Sequence, residues 1–191
     1  MYELPTEITI GGRQYSIRNR GDYRTILGAF SALEDPELDQ QERIISALII
    51  FYEDLEEVED VFALPDLQTA VKEMYGFFNC FAEESVSKAR KLIDWDKDSN
   101  LISAAVNKVA GTEIRCEPYI HWWTFVSYYM GIGECVLSTV VSIREKILSG
   151  KTLEKWEREY TTENPQYFNW NYKSVDQLEA EEWLKSVWNK E

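Results

Sequence analysis

From residue 22 to residue 148 the apolar side chains recur every three or four positions, and this spacing limits the possible folds more than any other feature. It places apolar residues along one face of each helix, and such a face must pack against a neighbouring element. The clearest of these stripes consists of Leu67, Ala70, Val71, Met74, Phe77, Phe78 and Phe81. The chain is therefore predicted to be mainly α, a helical bundle of seven to eight helices.

Capping residues and glycines predict where these helices begin and end. Six helices are expected before residue 150, and they begin near Asp22, Pro36, Pro65, Asp98, Pro118 and Val136. Asp35 is the predicted N-cap of the second helix, and Asp98 that of the fourth, over residues 99–110. The glycines expected to end the fourth and sixth helices are Gly111 and Gly150. The fifth helix, over residues 118–130, is apolar nearly all round and is predicted to lie in the middle of the bundle.

Residues 4–18 alternate between apolar and polar on both sides of Gly11-Gly12. Alternation is the period of a β-strand, and the two glycines supply the positive φ angles that a type I′ turn requires. A small N-terminal β-hairpin is therefore predicted. A hairpin alone is only marginally stable in water, so we expect it to pack against helices.

The composition changes after Gly150. Residues 161–173 are predicted to be irregular, and a last helix is predicted over residues 175–189, behind a capping box that begins at Ser174. We therefore divide the chain into 1–150, a β-hairpin plus helical bundle, and 151–191, a Trp-rich acidic helical C-terminal extension. The extension either folds back on the bundle or presents an aromatic surface to a partner. That surface would contain Trp156, Trp170, Trp183 and Trp188.

The chain carries 34 acidic and 20 basic residues, a formal charge of −14. This charge repels nucleic acid and anionic membrane surfaces, so neither is an expected partner. Residues 34–66 hold 12 acidic side chains and one basic side chain. The densest run, Glu53 to Asp60, is interpreted either as a solvated loop or as a docking surface for a basic partner. The candidate residues of such a surface are Asp54, Glu56 and Glu57.

The sequence contains no recognisable catalytic or metal-binding motif. The single histidine, His121, stands in the most aromatic segment and is predicted to be structural. Residues 94–100 begin like a calcium loop, but Ser99 occupies the position that needs glycine and Ala105 the position that needs glutamate. Three cysteines are interpreted as small buried hydrophobes, namely Cys80, Cys116 and Cys135. We therefore expect no enzyme activity, no cofactor and no metal.

Two segments, taken together, carry a specific motif. Residues 92–115 combine an aromatic, acidic stretch with an Asp before a short apolar helix and a glycine turn. An H-W-x-x-F motif follows, and an arginine lies on the helix after it. The motif positions are Trp95, Asp98, His121, Trp122, Phe125 and Arg144. The pattern resembles the bacteriophage gene-product-fifteen family of tailed phages and prophages of Gram-positive bacteria, over most of residues 1–148.

The resemblance implies a role in tail morphogenesis and supplies no catalytic residues. Members of the family are typically encoded between the tail tube protein and the tape-measure protein, where long-tailed phages keep their tail assembly chaperones. By this analogy the chain binds the tape-measure protein until tube subunits displace it, and it self-associates. Such chaperones are often extended by ribosomal frameshifting. The motif residues are interpreted as structural, with His121 and Arg144 bonded to buried carbonyls or to carboxylates such as that of Asp98.

The expected location is the host cytoplasm during phage assembly, and not the mature virion. The first ten residues agree with this because they lack the basic stretch and apolar core of a signal peptide. Two other functions stay open. The protein could be a structural component of the virion, such as a tail-completion or connector protein. It could also be an enzyme that uses His121 or the cluster from Asp94 to Asp98.

Overall fold

The computed structural model describes residues 3–81 and 92–169. Its helices and strands confirm the predicted fold class, which is mainly helical with a two-stranded antiparallel hairpin at the N-terminus. The described residues form two compact units. The first unit comprises residues 3–81 and 119–124, and the second comprises residues 92–118 and 125–169.

The hairpin is formed by β1 (Glu7–Ile10) and β2 (Arg13–Ser16), as the alternating pattern predicts. Gly11 and Gly12 both have positive φ angles, of +56° and +84°. The turn packs closely, because a Cβ atom at Gly11 would lie 2.9 Å from the ring of Pro65. The side chains on the buried face of the hairpin are Ile8, Ile10 and Tyr15.

Eight α-helices lie within the described residues. They are α1 (Tyr23–Glu34), α2 (Gln40–Phe51), α3 (Val58–Phe62), α4 (Leu67–Phe78), α5 (Ser99–Ala110), α6 (Trp122–Met130), α7 (Val136–Leu148) and α8 (Lys155–Glu163). The predicted last helix, over residues 175–189, lies outside the described residues. The proposed division of the chain at residue 150 therefore stays a prediction.

Two helices begin later than predicted. The start of α2 is Gln40 and not Pro36, because Asp39 and Glu42 bond each other's backbone N–H groups in a capping box. The start of α6 is Trp122 and not residue 118. The preceding strand-like stretch is held by Asp22, whose carboxylate accepts a hydrogen bond from the Ile120 N–H.

Two other predictions of helical extent are wrong. Residues 58–62, for which no helix is predicted, form the short helix α3, and α8 extends through residues 161–163, which are predicted to be irregular. The apolar helix α6 is also not buried all round, because Met130 at its end is 79% exposed. The predicted stripe of α4 is confirmed except for Phe81, which lies beyond the end of that helix.

Each unit has its own apolar core. In the first unit α1 packs against α2, and the fully buried side chains include Ile26, Ala29, Leu48, Phe51, Met74 and Phe77. In the second unit α5 packs against α7, and the core side chains include Ile102, Val106, Ile114, Phe125, Val140 and Ile143. Burying one such large side chain stabilises the fold by about 1.5–3 kcal/mol. No helix among the described residues is long and apolar enough to span a membrane.

Candidate functional site

The six motif residues separate into two groups. His121 and Trp122 lie in the first unit, whereas Trp95, Asp98, Phe125 and Arg144 lie in the second. Each group has its own set of buried contacts.

His121 is bonded at both ring nitrogens and is 1% exposed. Its Nε2 lies 3.0 Å from the carbonyl oxygen of Pro5, and its Nδ1 lies 3.1 Å from the backbone nitrogen of Trp123. A carbonyl only accepts and a backbone N–H only donates, so the neutral ring carries its proton on Nε2. Burial lowers the pKa of His121, which favours this neutral form. The ring thus joins two backbone segments and has no nitrogen left over for a substrate.

Two tryptophans bind the C-terminal end of α4. The indole N–H of Trp122 donates to the carbonyl of Phe78 at 2.9 Å, and that of Trp123 donates to the carbonyl of Phe77 at 3.0 Å. The last carbonyls of a helix have no regular partner within it. Trp122 supplies a donor to the Phe78 carbonyl, whereas the Phe77 carbonyl also accepts from the backbone N–H of Cys80. Trp122 also contacts the ring of Phe30 at a centroid distance of 5.7 Å.

Asp98 precedes α5 as predicted, but its side chain does not cap that helix. Both carboxylate oxygens accept hydrogen bonds from the guanidinium of Arg144, one of them at 2.9 Å from Nη2. The carboxylate also accepts from the backbone N–H of Asp94. The predicted N-cap position of Asp98 is confirmed, but its carboxylate makes no capping bond, because both oxygens bond the buried guanidinium instead. The expected bond between Arg144 and Asp98 is confirmed.

Arg144 also binds two backbone segments. Its Nη1 donates to the carbonyl of Leu92 at 2.9 Å, and its Nε donates to the carbonyl of Tyr167 at 2.9 Å. A single buried side chain on α7 therefore holds the segment before α5 and the segment after α8.

The remaining motif residues, Trp95 and Phe125, belong to an aromatic cluster. Their ring centroids lie 6.4 Å apart, and Trp95 lies 5.8 Å from the ring of Tyr129. Burial raises the pKa of Tyr129, and the nearby charge of Asp98 raises it further. The structural interpretation of the motif residues stays a prediction.

The predicted acidic surface consists partly of carboxylates that organise the backbone. Asp54 accepts a hydrogen bond from the Ser16 N–H at 2.7 Å. Asp60 accepts from the N–H groups of Glu56 and Glu57, each at 3.0 Å, and these bonds lower its pKa. Asp54, Glu56 and Glu57 are all exposed, so a partner can reach the carboxylates of this surface.

One of the four tryptophans of the predicted aromatic surface can be placed. Trp156 lies on α8, is half exposed, and donates its indole N–H to Glu154 at 2.9 Å. Trp170, Trp183 and Trp188 lie outside the described residues. The helix that carries Trp156 is tied to α7 by an ion pair between Lys146 and Glu157, with the two atoms 2.6 Å apart.

Sequence reasoning missed Arg18, which has a large structural role. Its Nη2 lies within 2.9–3.1 Å of three carbonyl oxygens, those of Ile49, Tyr52 and Leu55. These carbonyls lie at and beyond the C-terminal end of α2. No sequence signal marks the contact, because backbone acceptors do not depend on residue type.

In the part of the chain that the structure describes, the cysteines and the cluster from Asp94 to Asp98 form no metal centre. Within residues 3–81 and 92–169, no group of three or more His, Cys, Asp or Glu side chains is placed to hold an ion. The prediction that the three cysteines are buried is wrong, since none of them is buried and Cys116 is exposed in the turn before Pro118. Cys80 and Cys135 are partly exposed.

The family model described as Bacteriophage Gp15 protein matches residues 1–169. The chain belongs to the bacteriophage Gp15 protein family. This confirms the resemblance drawn from the motif residues, and the match covers every one of those residues. No curated protein and no solved structure matches this Gp15-family chain.

Proposed function

We propose that this Gp15-family chain is a tail assembly chaperone that binds and solubilises the tape-measure protein during tail morphogenesis. The family match over residues 1–169 is the observation that carries the proposal. A chaperone of this kind binds its client and catalyses no reaction, so it needs a binding surface and no catalytic group.

The physical properties of the chain support this role. A tape-measure protein is a long helical chain with exposed apolar stripes, and a helical protein can cover such a stripe with an apolar surface of its own. The net charge of −14 gives bound copies the same strong negative sign, so that coated chains repel one another. In this proposal the protein acts in the host cytoplasm, self-associates along its client, and is displaced by tail tube subunits.

The first test is co-expression with the tape-measure candidate from the neighbouring gene. We expect an affinity pull-down to recover a soluble complex, and light scattering to show several copies of this chain per tape-measure chain. The control is the tape-measure candidate expressed alone, which should be insoluble. A tape-measure chain that stays insoluble and never co-purifies would contradict the chaperone role.

Mass spectrometry of purified phage particles tests the alternative. A chaperone is expected to be absent from the particles. Stoichiometric amounts of this chain in the virion would instead identify it as a tail-completion or connector component.

A further inference from the structure

The short helix α3 exposes two apolar side chains beside each other. Val58 and Phe62 are 44% and 56% exposed, and they lie four residues apart on the same side of the helix. Val61, in the same helix, is fully buried and anchors α3 in the first unit. Isolated exposed apolar residues are normal on a protein surface, whereas adjacent ones on an anchored helix form a patch that a partner can cover.

The backbone around α3 is held in place before any partner binds. The carbonyl of Leu55 accepts a hydrogen bond from Arg18 at 2.9 Å, and the carboxylate of Asp60 bonds the N–H groups at the start of the helix. The side chain of Leu55 is buried as well. A preorganised surface loses little conformational entropy on binding, so Val58 and Phe62 are well placed to act as anchors.

The apolar pair is surrounded by negative charge. Asp54 and Asp60 bond the backbone, whereas the exposed side chains of Glu53, Glu56 and Glu59 take part in none of the ion pairs found among the described residues. Uncompensated carboxylates around an apolar centre favour a partner with the opposite charge and disfavour one with the same charge.

This charge distinguishes between the possible occupants of the patch. The segment 170–191 of the same chain carries five acidic and three basic residues, and a second copy of the chain carries a net charge of −14. Both would bring like charges together, which is unfavourable. A basic partner has the complementary charge.

We propose that α3 is a docking site for a basic amphipathic helix of a partner protein. Apolar side chains of that helix cover Val58 and Phe62, and its Lys or Arg side chains lie against Glu53, Glu56 and Glu59. The proposal goes beyond the chaperone role, because it specifies the partner's chemistry whether or not that partner is the tape-measure protein.

Fluorescence anisotropy with the full-length protein tests the proposal. The probe is a labelled amphipathic Leu/Lys helical peptide of roughly 18 residues, five turns long. A Leu/Glu peptide with the same pattern is the charge control. We expect the Leu/Lys peptide to bind with an affinity that falls as salt is added, and the Leu/Glu peptide not to bind.

The decisive variant is the double substitution V58S/F62S. Removing two anchors should weaken binding of the Leu/Lys peptide by about tenfold or more. The matched control is Met130→Ser, which removes a more exposed apolar side chain from the second unit and should leave binding unchanged. Circular dichroism should show that all variants are folded.

A second pair of variants tests the charge. The triple variant E53Q/E56Q/E59Q should weaken binding and reduce its salt dependence, whereas E134Q/E145Q/E163Q, from exposed sites in the second unit, should have little effect. Equal losses in both triple variants, with V58S/F62S binding like the parent, would reveal unspecific attraction to an acidic protein and overturn the proposal.

The other occupants have different signatures. A V58S/F62S variant that sediments as a smaller species than the parent would assign α3 to contacts between copies. A V58S/F62S variant that binds the Leu/Lys peptide as tightly as the parent would show that another part of the chain takes up the peptide. Either result would overturn the docking proposal. Neither would change the outcome of co-expression with the tape-measure candidate, so the two proposals can fail separately.

Discussion

Asp98 and Arg144 form a two-point ion pair across 46 residues of sequence, and each residue is 1% exposed. Both charges have been removed from water, which is costly, and the compensation comes from their mutual attraction and from the carbonyls around the guanidinium. The pair therefore depends on both members being present.

Replacing Arg144 alone should destabilise the protein more than replacing both Asp98 and Arg144. We expect Arg144→Leu to lower the free energy of unfolding by about 3–5 kcal/mol, because Asp98 is then a buried charge without its partner. The double variant D98L/R144L should regain much of this loss. Urea unfolding of the parent and the variants measures these free energies. A decrease of less than about 1 kcal/mol in Arg144→Leu would contradict the dependence of each charge on the other.

His121 should make stability fall in mildly acidic solution. Its pKa in the folded protein is lower than the ordinary value of about 6.5, so protons bind the unfolded chain more readily. The contribution of His121 to the free energy of unfolding is therefore complete above about pH 6.5, and it is lost as the pH falls towards the lowered pKa. Urea midpoints between about pH 7.5 and about pH 5.5 should show a decline that His121→Gln lacks. Because the chain has one histidine, its proton NMR signal reports the pKa directly.

Gly21 should tolerate alanine less well than Gly150. Both have positive φ angles, +75° and +65°, and alanine in this region costs about 1 kcal/mol. At Gly21 the added Cβ would also lie 2.9 Å from the ring of Phe77 and 3.2 Å from Nε2 of His121. At Gly150 no described atom lies within 4 Å. Thermal unfolding should show a clearly lower Tm for Gly21→Ala than for Gly150→Ala, and equal values would be inconsistent with these contacts.

Trp122→Phe should destabilise the protein by about 1–3 kcal/mol. The substitution keeps an aromatic ring but leaves the Phe78 carbonyl buried without its donor. The control is Trp156→Phe, where the indole bonds an exposed glutamate and the change should stay within about 0.5 kcal/mol. Denaturant titration of the two variants compares them, and similar losses would contradict a specific role for the Trp122 bond.

Arg18→Met should loosen the C-terminal end of α2. Three carbonyls lose their shared donor, so we expect a loss of about 1–3 kcal/mol and faster amide hydrogen exchange in the last turn of that helix. The control is Arg115→Met, which removes an exposed arginine whose ion pair with Glu113 contributes little to stability. This variant should leave the exchange in α2 unchanged. Unchanged exchange in Arg18→Met would exclude the proposed anchoring.

The hairpin and most helices were predictable because their signals are local. Two adjacent glycines determine the turn, and a run such as Leu67–Phe78 shows its buried face in its spacing alone. The start of α2 was missed although its capping box is present in the sequence, because Pro36 offered a competing start signal three residues ahead of Asp39.

Contacts that depend on tertiary packing were harder to predict. The bond between Asp98 and Arg144 was predictable from residue type, but the missing capping bond was not, because the sequence does not show that the Asp98 oxygens bond Arg144 and the Asp94 N–H. Arg18 could not be assigned, since its acceptors are backbone carbonyls. The exposed pair on α3 could not be predicted, because the acidic run in which α3 begins has the composition of a loop.

The reach of Arg144 limits how far the chain can be shortened. Two of its nitrogens donate to the carbonyl of Tyr167, which lies two residues before the end of the family match at residue 169. A truncation ahead of Tyr167 would leave N–H donors of a buried guanidinium without acceptors. The shortest stable form of this chain should therefore include residue 167, and its C-terminal boundary is determined by a side chain on α7.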